Sequence, residues 1–333
     1  ILELADLIGA YLHLLEPLPS WLSRAFTRFP MRWRRVLLGQ LERTDRPSAG
    51  AAARALAEFG TSADAERIAR FEKASSGRRA VLSRALVRRV SPTLRVHDLG
   101  RTTYEVSGVE MRSSEARRKA MSLVMFLVTR ARQTATREQV MESLWPDQSP
   151  SSAVNSLHQT LHFVRRDIAP WSDRAPTPGY VPLDSEVVYL DPELVQVDSV
   201  AFARQASAAM AGDDLARVGP SVARLYTGRF APEFEYEDWA DGWRMHVHAQ
   251  YLLLVQSTVS VQLDAKRIHE AIEVLSRAIE IDPLAFDLRA TLVRSLFLAG
   301  ATDAAREHYR HYASLMRREL DETPASFEDL LGE

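Results

Sequence analysis

The side chains best suited to chemistry in this chain sit close together between residues 149 and 168. Ser152, Asn155, Gln159, His162 and Arg166 recur every three or four positions, the spacing that aligns one face of an α-helix. Asn and Gln each donate and accept at once, so Asn155 and Gln159 could hold adenine bidentately, a contact that discriminates between bases by about 1–3 kcal/mol. Arg166 could read guanine, and Arg165 could neutralise a phosphate. Ser149 followed by Pro150 has the form of an N-cap with proline at the first helical position, and that terminus could take a phosphate oxygen. Opposite the polar row, Val154, Leu157, Leu161, Val164 and Ile168 make an apolar stripe that must meet a core. An ordinary amphipathic helix with a solvated outer face has the same pattern, so the neighbouring elements must decide.

Other chemistries find less support. His158 and His162 are four apart, but the run is HQTLH, with Gln where a metalloprotease helix needs its glutamate, and no further ligands are in evidence. His246 with His248 and His308 with His311 read as packing or surface residues. The run from Asp238 to Trp243 holds two tryptophans at helical spacing, the signature of a core more often than of an active site, and Glu233, Glu235 and Glu237 add an acidic rim. There is no cysteine, which removes disulfides, thiolate zinc sites and a thiol nucleophile. Neither a GxxxxGK[ST] phosphate loop nor a nucleophile–base–acid pattern stands out. No enzyme activity, cofactor or metal is expected.

The elements that must position the polar row lie around it. LRVHDLG and TTYEVSG are short β-type runs with Gly100 and Gly108 as turns. Helices follow over 114–130, from Thr136 to Trp145, and from Pro150 to about Ile168; Thr136 and Gln139 have capping-box spacing. YVPL and VVYL then flank Asp184-Ser185-Glu186 as a β-hairpin. Strands, three helices and a terminal hairpin are the outline of a winged helix-turn-helix over 91–192, whose third helix enters the major groove of DNA.

Residues 1–90 read as all-helical, with Ala51–Phe59 and Ala63–Lys73 resembling a HEAT-type pair. Residues 193–333 read as helical repeats: Ala271, Leu275, Ala278 and Pro283 occupy tetratricopeptide (TPR) spacing, and Ala304, Ala305 and Tyr309 make a less regular second copy. The expected fold is therefore mainly α, with a small α+β winged domain and a TPR-like C-terminal domain.

Charge separates these regions. Residues 1–90 carry 16 Lys+Arg against 9 Asp+Glu, residues 91–192 carry 12 against 12, and residues 193–333 carry 14 against 23. Phosphate neutralisation supplies most non-specific DNA affinity, so the neutral middle domain needs help. Arg88 and Arg89, with Arg78, Arg79 and Arg84, lie just upstream and are candidates to supply it.

The run from Leu94 to Phe202, including ARRKAMSLVMFLV, TREQVMESLWPD, SSAVNSLHQTLHFVRRDI and GYVPLD, resembles the DNA-binding domain of SARP-type (antibiotic-regulatory-protein) transcriptional regulators, itself similar to the OmpR/PhoB winged helix. YTGRFAPEFEYEDWADGWR, AIEIDP, LFLAG, AREHYRHY and MRREL resemble the bacterial transcriptional activator domain that follows it. The resemblance covers about 240 residues. It implies binding to double-stranded promoter DNA and contact with RNA polymerase, and it matches Lys119 and Arg165 to basic positions on the first and third helices; the acidic repeat domain is expected to mediate self-association or polymerase contact. The expectation is a cytoplasmic, DNA-binding regulator, an activator, without membrane contact. The rival reading is a regulatory adaptor that keeps the winged fold for protein contacts, motivated by Phe163, by the acidic hairpin tip and by the zero charge of residues 91–192.

Overall fold

A computed structural model describes residues 4–15, 17–43, 47–76, 81–111, 115–168 and 179–332. The chain divides into two compact units: residues 1–95 with 104–196, and residues 96–103 with 197–333. Among the described residues no helix is long and apolar enough to cross a membrane.

The first unit opens with helices α1 (Ala5–Ala10), α2 (Ser20–Arg28), α3 (Pro30–Leu41), α4 (Pro47–Phe59), α5 (Ala65–Ser76) and α6 (Val81–Val90). Pro19, Pro30 and Gly60, residues that break or start helices, fall at the ends of these helices. Their shared core holds Leu22, Phe26, Trp33, Leu37, Leu56 and Leu86. The alanines of α4 keep that helix thin, so α3 and α6 pack closely against it. Asp64 locks the α4–α5 corner: it closes a capping box with Thr61 and accepts from Arg34 Nε at 2.9 and 2.8 Å. Burial works against its charge, but Arg34 and Thr61 together hold its carboxyl below the usual carboxylate range. Glu72 of α5 caps the start of α6, accepting from Leu82 N at 2.7 Å and Ser83 Oγ at 2.8 Å.

Strands β1 (Leu94–His97), β2 (Thr103–Val106) and β3 (Val109–Met111) come next, and β7 (Val195–Val197) completes a sheet in the order β3-β2-β1-β7. Ser107 and Gly108 join β2 to β3 with φ of +52° and +79°, the left-handed pair of a type I′ hairpin turn. Helices α7 (Glu115–Val128), α8 (Arg137–Leu144) and α9 (Pro150–Ile168) follow. A second sheet, β4 (Thr134–Thr136), β6 (Val187–Tyr189) and β5 (Leu183–Asp184), is antiparallel in the order β4-β6-β5.

The second unit contains α10 (Asp198–Ala211), α11 (Leu215–Ala223), α12 (Asp238–Asp264), α13 (Ile268–Ile281), α14 (Phe286–Leu298), α15 (Thr302–Glu319) and α16 (Phe327–Leu331). Helices adjacent in sequence pack on one another from α11 to α15. Ala271, Leu275 and Ala278 are fully buried. Helix α11 meets α12 so closely that a Cβ on Gly219 would lie 2.1 Å from Thr258 Oγ1. Residues 96–103 are built into this unit. Asp98 accepts from the backbone N of Ser199 at the start of α10, and Leu99 bridges Phe230. Gly100, at φ +74°, and Gly228 touch backbone to backbone; a Cβ on Gly228 would lie 2.7 Å from the Cα of Gly100.

The aromatic-acidic run is partly structural. Trp243 Nε1 donates to Ser199 Oγ at 3.0 Å. Buried Arg244 is satisfied by Asp241 and by the carbonyls of Phe230, Phe234 and Glu235. His248 bridges Tyr226 and Asp282 at 2.9 Å on either side, while His246 lies against the Trp243 ring.

Candidate nucleic-acid interface

The polar row on α9 is positioned by the helices beneath it. Helix α7 is buried from Ala120 to Phe126 apart from half-buried Ser122, because its residues are apolar nearly all round. Helix α8 starts at the capping box the sequence predicted: Gln139 N donates to Thr136 Oγ1 at 3.2 Å, and Thr136 N donates to Gln139 Oε1 at 3.0 Å. It stops at Trp145, before Pro146, whose ring disfavours continued helix. Ser149 then begins α9: its carbonyl accepts from Ala153 N at 2.9 Å and its Oγ from Ser152 N at 3.4 Å.

Helix α9 buries Leu157, Leu161 and Val164 against α7 and α8, with Ala153 and Thr160 beside them and Val154 half-buried. Ser152, Asn155, His158, Gln159 and His162 are exposed on the other side. Asn155 and Gln159 have no hydrogen-bond partner among the described residues, so their amides are free for an outside ligand. His162 lies beside half-buried Phe163, ring centroids 6.3 Å apart. Lys119 on α7 and Ser149 are exposed. The side chains of Arg165, Arg166 and Ile168 lie outside the described residues, as do Arg78 and Arg79. Among the described residues no group of three metal-binding side chains occurs, and His158 and His162 gain no further ligand.

The hairpin β5–β6 turns at Ser185 and Glu186, with Asp184 opposite Val187. Its acidic tip is partly neutralised within the first unit. Arg84 Nη1 lies 3.3 Å from Asp184 Oδ1, and Arg137 Nη1 lies 3.4 Å from Glu186 Oε1. Tyr189 O–H also donates to Asp184 at 3.3 Å. Tyr180, preceding β5, donates to Pro92 O at 2.8 Å, and burial pushes its hydroxyl up to about 12.

The arginines upstream of β1 do not stand free. Arg88 Nε donates to Asp191 Oδ2 at 2.6 Å, and the Asp191 side chain is only 2% exposed. Arg89 donates to the carbonyls of Ala57 and Gly60. A buried carboxylate and helix-end carbonyls both need a donor, and α6 presents its last turn to them. Pairing across so many residues leaves no mark in local sequence.

Between α5–α6 and the hairpin runs a cleft of about 480 Å³, walled by Ala65, Ala69, Val87 and Pro182 and crossed by the Arg84 and Arg88 ion pairs. Elsewhere in the helical region, Arg32, Arg35 and Arg67 line a second, basic groove between α3 and α5. Nothing in local sequence distinguishes these three from other arginines.

Residues 197–327 match the bacterial transcriptional activator domain, so the likeness to SARP-type regulators holds over this C-terminal part. Among solved structures the chain is similar to Mycobacterium tuberculosis EmbR in complex with a low affinity phosphopeptide. That likeness has a TM-score of 0.54 and 15% sequence identity, covers 73% of this chain and spans 65% of the other, and is one of fold. No curated protein matches.

Proposed function

We propose that the chain is a DNA-binding transcriptional regulator. Residues 91–192 act as a winged helix-turn-helix, with α8 and α9 as its two helices and β5–β6 as the wing. Helix α9 lies in the major groove, where Asn155 and Gln159 read bases together with Ser152, His162 and Arg166. Lys119, Ser149 and Arg165 hold phosphates. The activator domain, as stacked TPR-like helix pairs, offers a partner surface for RNA polymerase or a second copy.

One observation carries the reading: two amide side chains stand exposed and without partners among the described residues, on a helix whose opposite face is anchored in a core. A solvated outer face has the same pattern, and the order of elements around α9, strands, three helices and a hairpin, supports the reading. The test is genomic footprinting with the full chain and with Asn155→Ala/Gln159→Ala. Discrete sites that disappear in the double variant are expected; sites that persist unchanged would remove α9 as the reader.

The adaptor reading draws on the carboxylates of the hairpin, Asp184 and Glu186, which a phosphate-facing wing would not need. Their arginine neighbours weaken that objection without removing it, since ion pairs of 3.3–3.4 Å at partly exposed sites hold little energy. An absence of footprints with both proteins would favour the adaptor.

A further inference from the structure

Residues 91–192 have no net charge, and the arginines that adjoin them in sequence, Arg84, Arg88 and Arg89, are engaged with the protein. The excess positive charge of the helical region lies elsewhere. Arg32 and Arg35 are one turn apart on α3, Arg67 faces them from α5, and together they line a groove of about 680 Å³. All three are exposed, and none has an ion-pair partner among the described residues. Arg34, at the same groove, is bound to Asp64. Gly39 leaves the floor open, since a Cβ there would meet nothing within 4 Å, and Glu42 is the one carboxylate in the lining.

Three unpaired guanidiniums with solvated heads are a poor cradle for a single small anion, which binds best to desolvated, converging donors. They suit a polyanion, whose condensed counterions are released as each phosphate is neutralised. The groove belongs to the same compact unit as α9. We propose that the α3–α5 groove is a second DNA-contacting surface, which takes phosphodiester groups through Arg32, Arg35 and Arg67 and supplies the charge that residues 91–192 lack. This rests on the DNA-binding reading above.

The test uses the full chain and a random-sequence 40-bp duplex (~40 bp, to allow several phosphate contacts), with affinity followed from about 50 to 200 mM KCl. Three lost contacts lower the salt slope by about 2.7, so the wild type loses about 40-fold more affinity over that range than Arg32→Ala/Arg35→Ala/Arg67→Ala. Arg67→Ala alone gives about a third of the change in slope, which keeps the test open should the triple variant fold poorly. The Arg→Lys triple retains the wild-type slope, because the effect is one of charge. Asn155→Ala/Gln159→Ala also retains it. A wild-type slope in the alanine variants overturns the proposal while leaving α9 as a reader; the groove would then serve another partner, such as an acidic protein. A wild-type chain that binds no duplex at about 50 mM salt overturns both.

Discussion

Arg88 at the end of α6 and Asp191, 103 residues further along the chain, meet through a 2.6 Å hydrogen bond. Asp191 also accepts from Glu193 N at 3.1 Å, so its buried carboxylate fixes the turn that leads into β7. The pair ties the helical region to the segment that follows the hairpin, inside one compact unit.

Arg88→Ala leaves that carboxylate without its cation. Arg88 is itself 39% exposed, so solvent screens part of the loss, and a destabilisation of about 1–2 kcal/mol is expected. Urea unfolding of the full chain checks this. A shift no larger than that of Arg84→Ala, whose pair is longer and more exposed, would show that Asp191 is satisfied without Arg88.

Asp98 is fully buried, and burial pushes its carboxyl up to about 7, against the two hydrogen bonds from Ser199 that favour the charged form. The folded state therefore holds the proton more tightly than the unfolded chain, whose carboxyl titrates near pH 4. Stability from this group is fully present below about pH 4 and is lost as pH rises through about 7, by up to about 1 kcal/mol per pH unit. Asp98→Asn keeps an acceptor for Ser199 N and flattens that dependence. Thermal unfolding of both proteins from about pH 5 to 8 reads it, and equal slopes would place the titration elsewhere.

Gly219→Ala puts a methyl into Thr258 and should cost about 1–3 kcal/mol. Thr258 Oγ1 has no hydrogen-bond partner among the described residues, so trimming the neighbour sacrifices little. Gly219→Ala/Thr258→Ala is expected to recover most of the loss. A double-mutant cycle by denaturant melts gives the coupling, and simple additivity would mean that α11 relaxes away from α12 instead.

Ser185 opens the hairpin turn at φ +59°, a left-handed conformation that costs a residue with a Cβ about 1 kcal/mol. Ser185→Gly should stabilise the first unit by less than that, because glycine also gains freedom in the unfolded chain. Calorimetry on the full chain reads the shift; destabilisation would mean that the Ser185 hydroxyl holds the turn.

Local signals are legible in the sequence. The Thr136–Gln139 box, the stop at Trp145-Pro146 and the two faces of α9 depend only on near neighbours in sequence, and the structure shows each of them. What could not be read was the choice of distant partners. Arg84, Arg88 and Arg89 look like free cations in a basic stretch, but their acceptors lie on other elements, up to 103 residues away. Asp184 and Glu186 read as an unrelieved acidic tip for the same reason: Arg137 comes from α8 and Arg84 from α6. Gly100 looked like a simple turn, and its contact with Gly228 has no local signature. The α3–α5 groove was invisible because Arg67 reaches it from a different helix than Arg32 and Arg35.

The placement of residues 96–103 bears on how this protein is cut for the bench. A fragment started at residue 197, where the activator-domain match begins, omits the carboxylate at the head of α10 and the backbone that lies against Gly228. Such a truncation is expected to come out insoluble or poorly folded, and a failure of that fragment to recruit a partner would say nothing about the domain in its native chain.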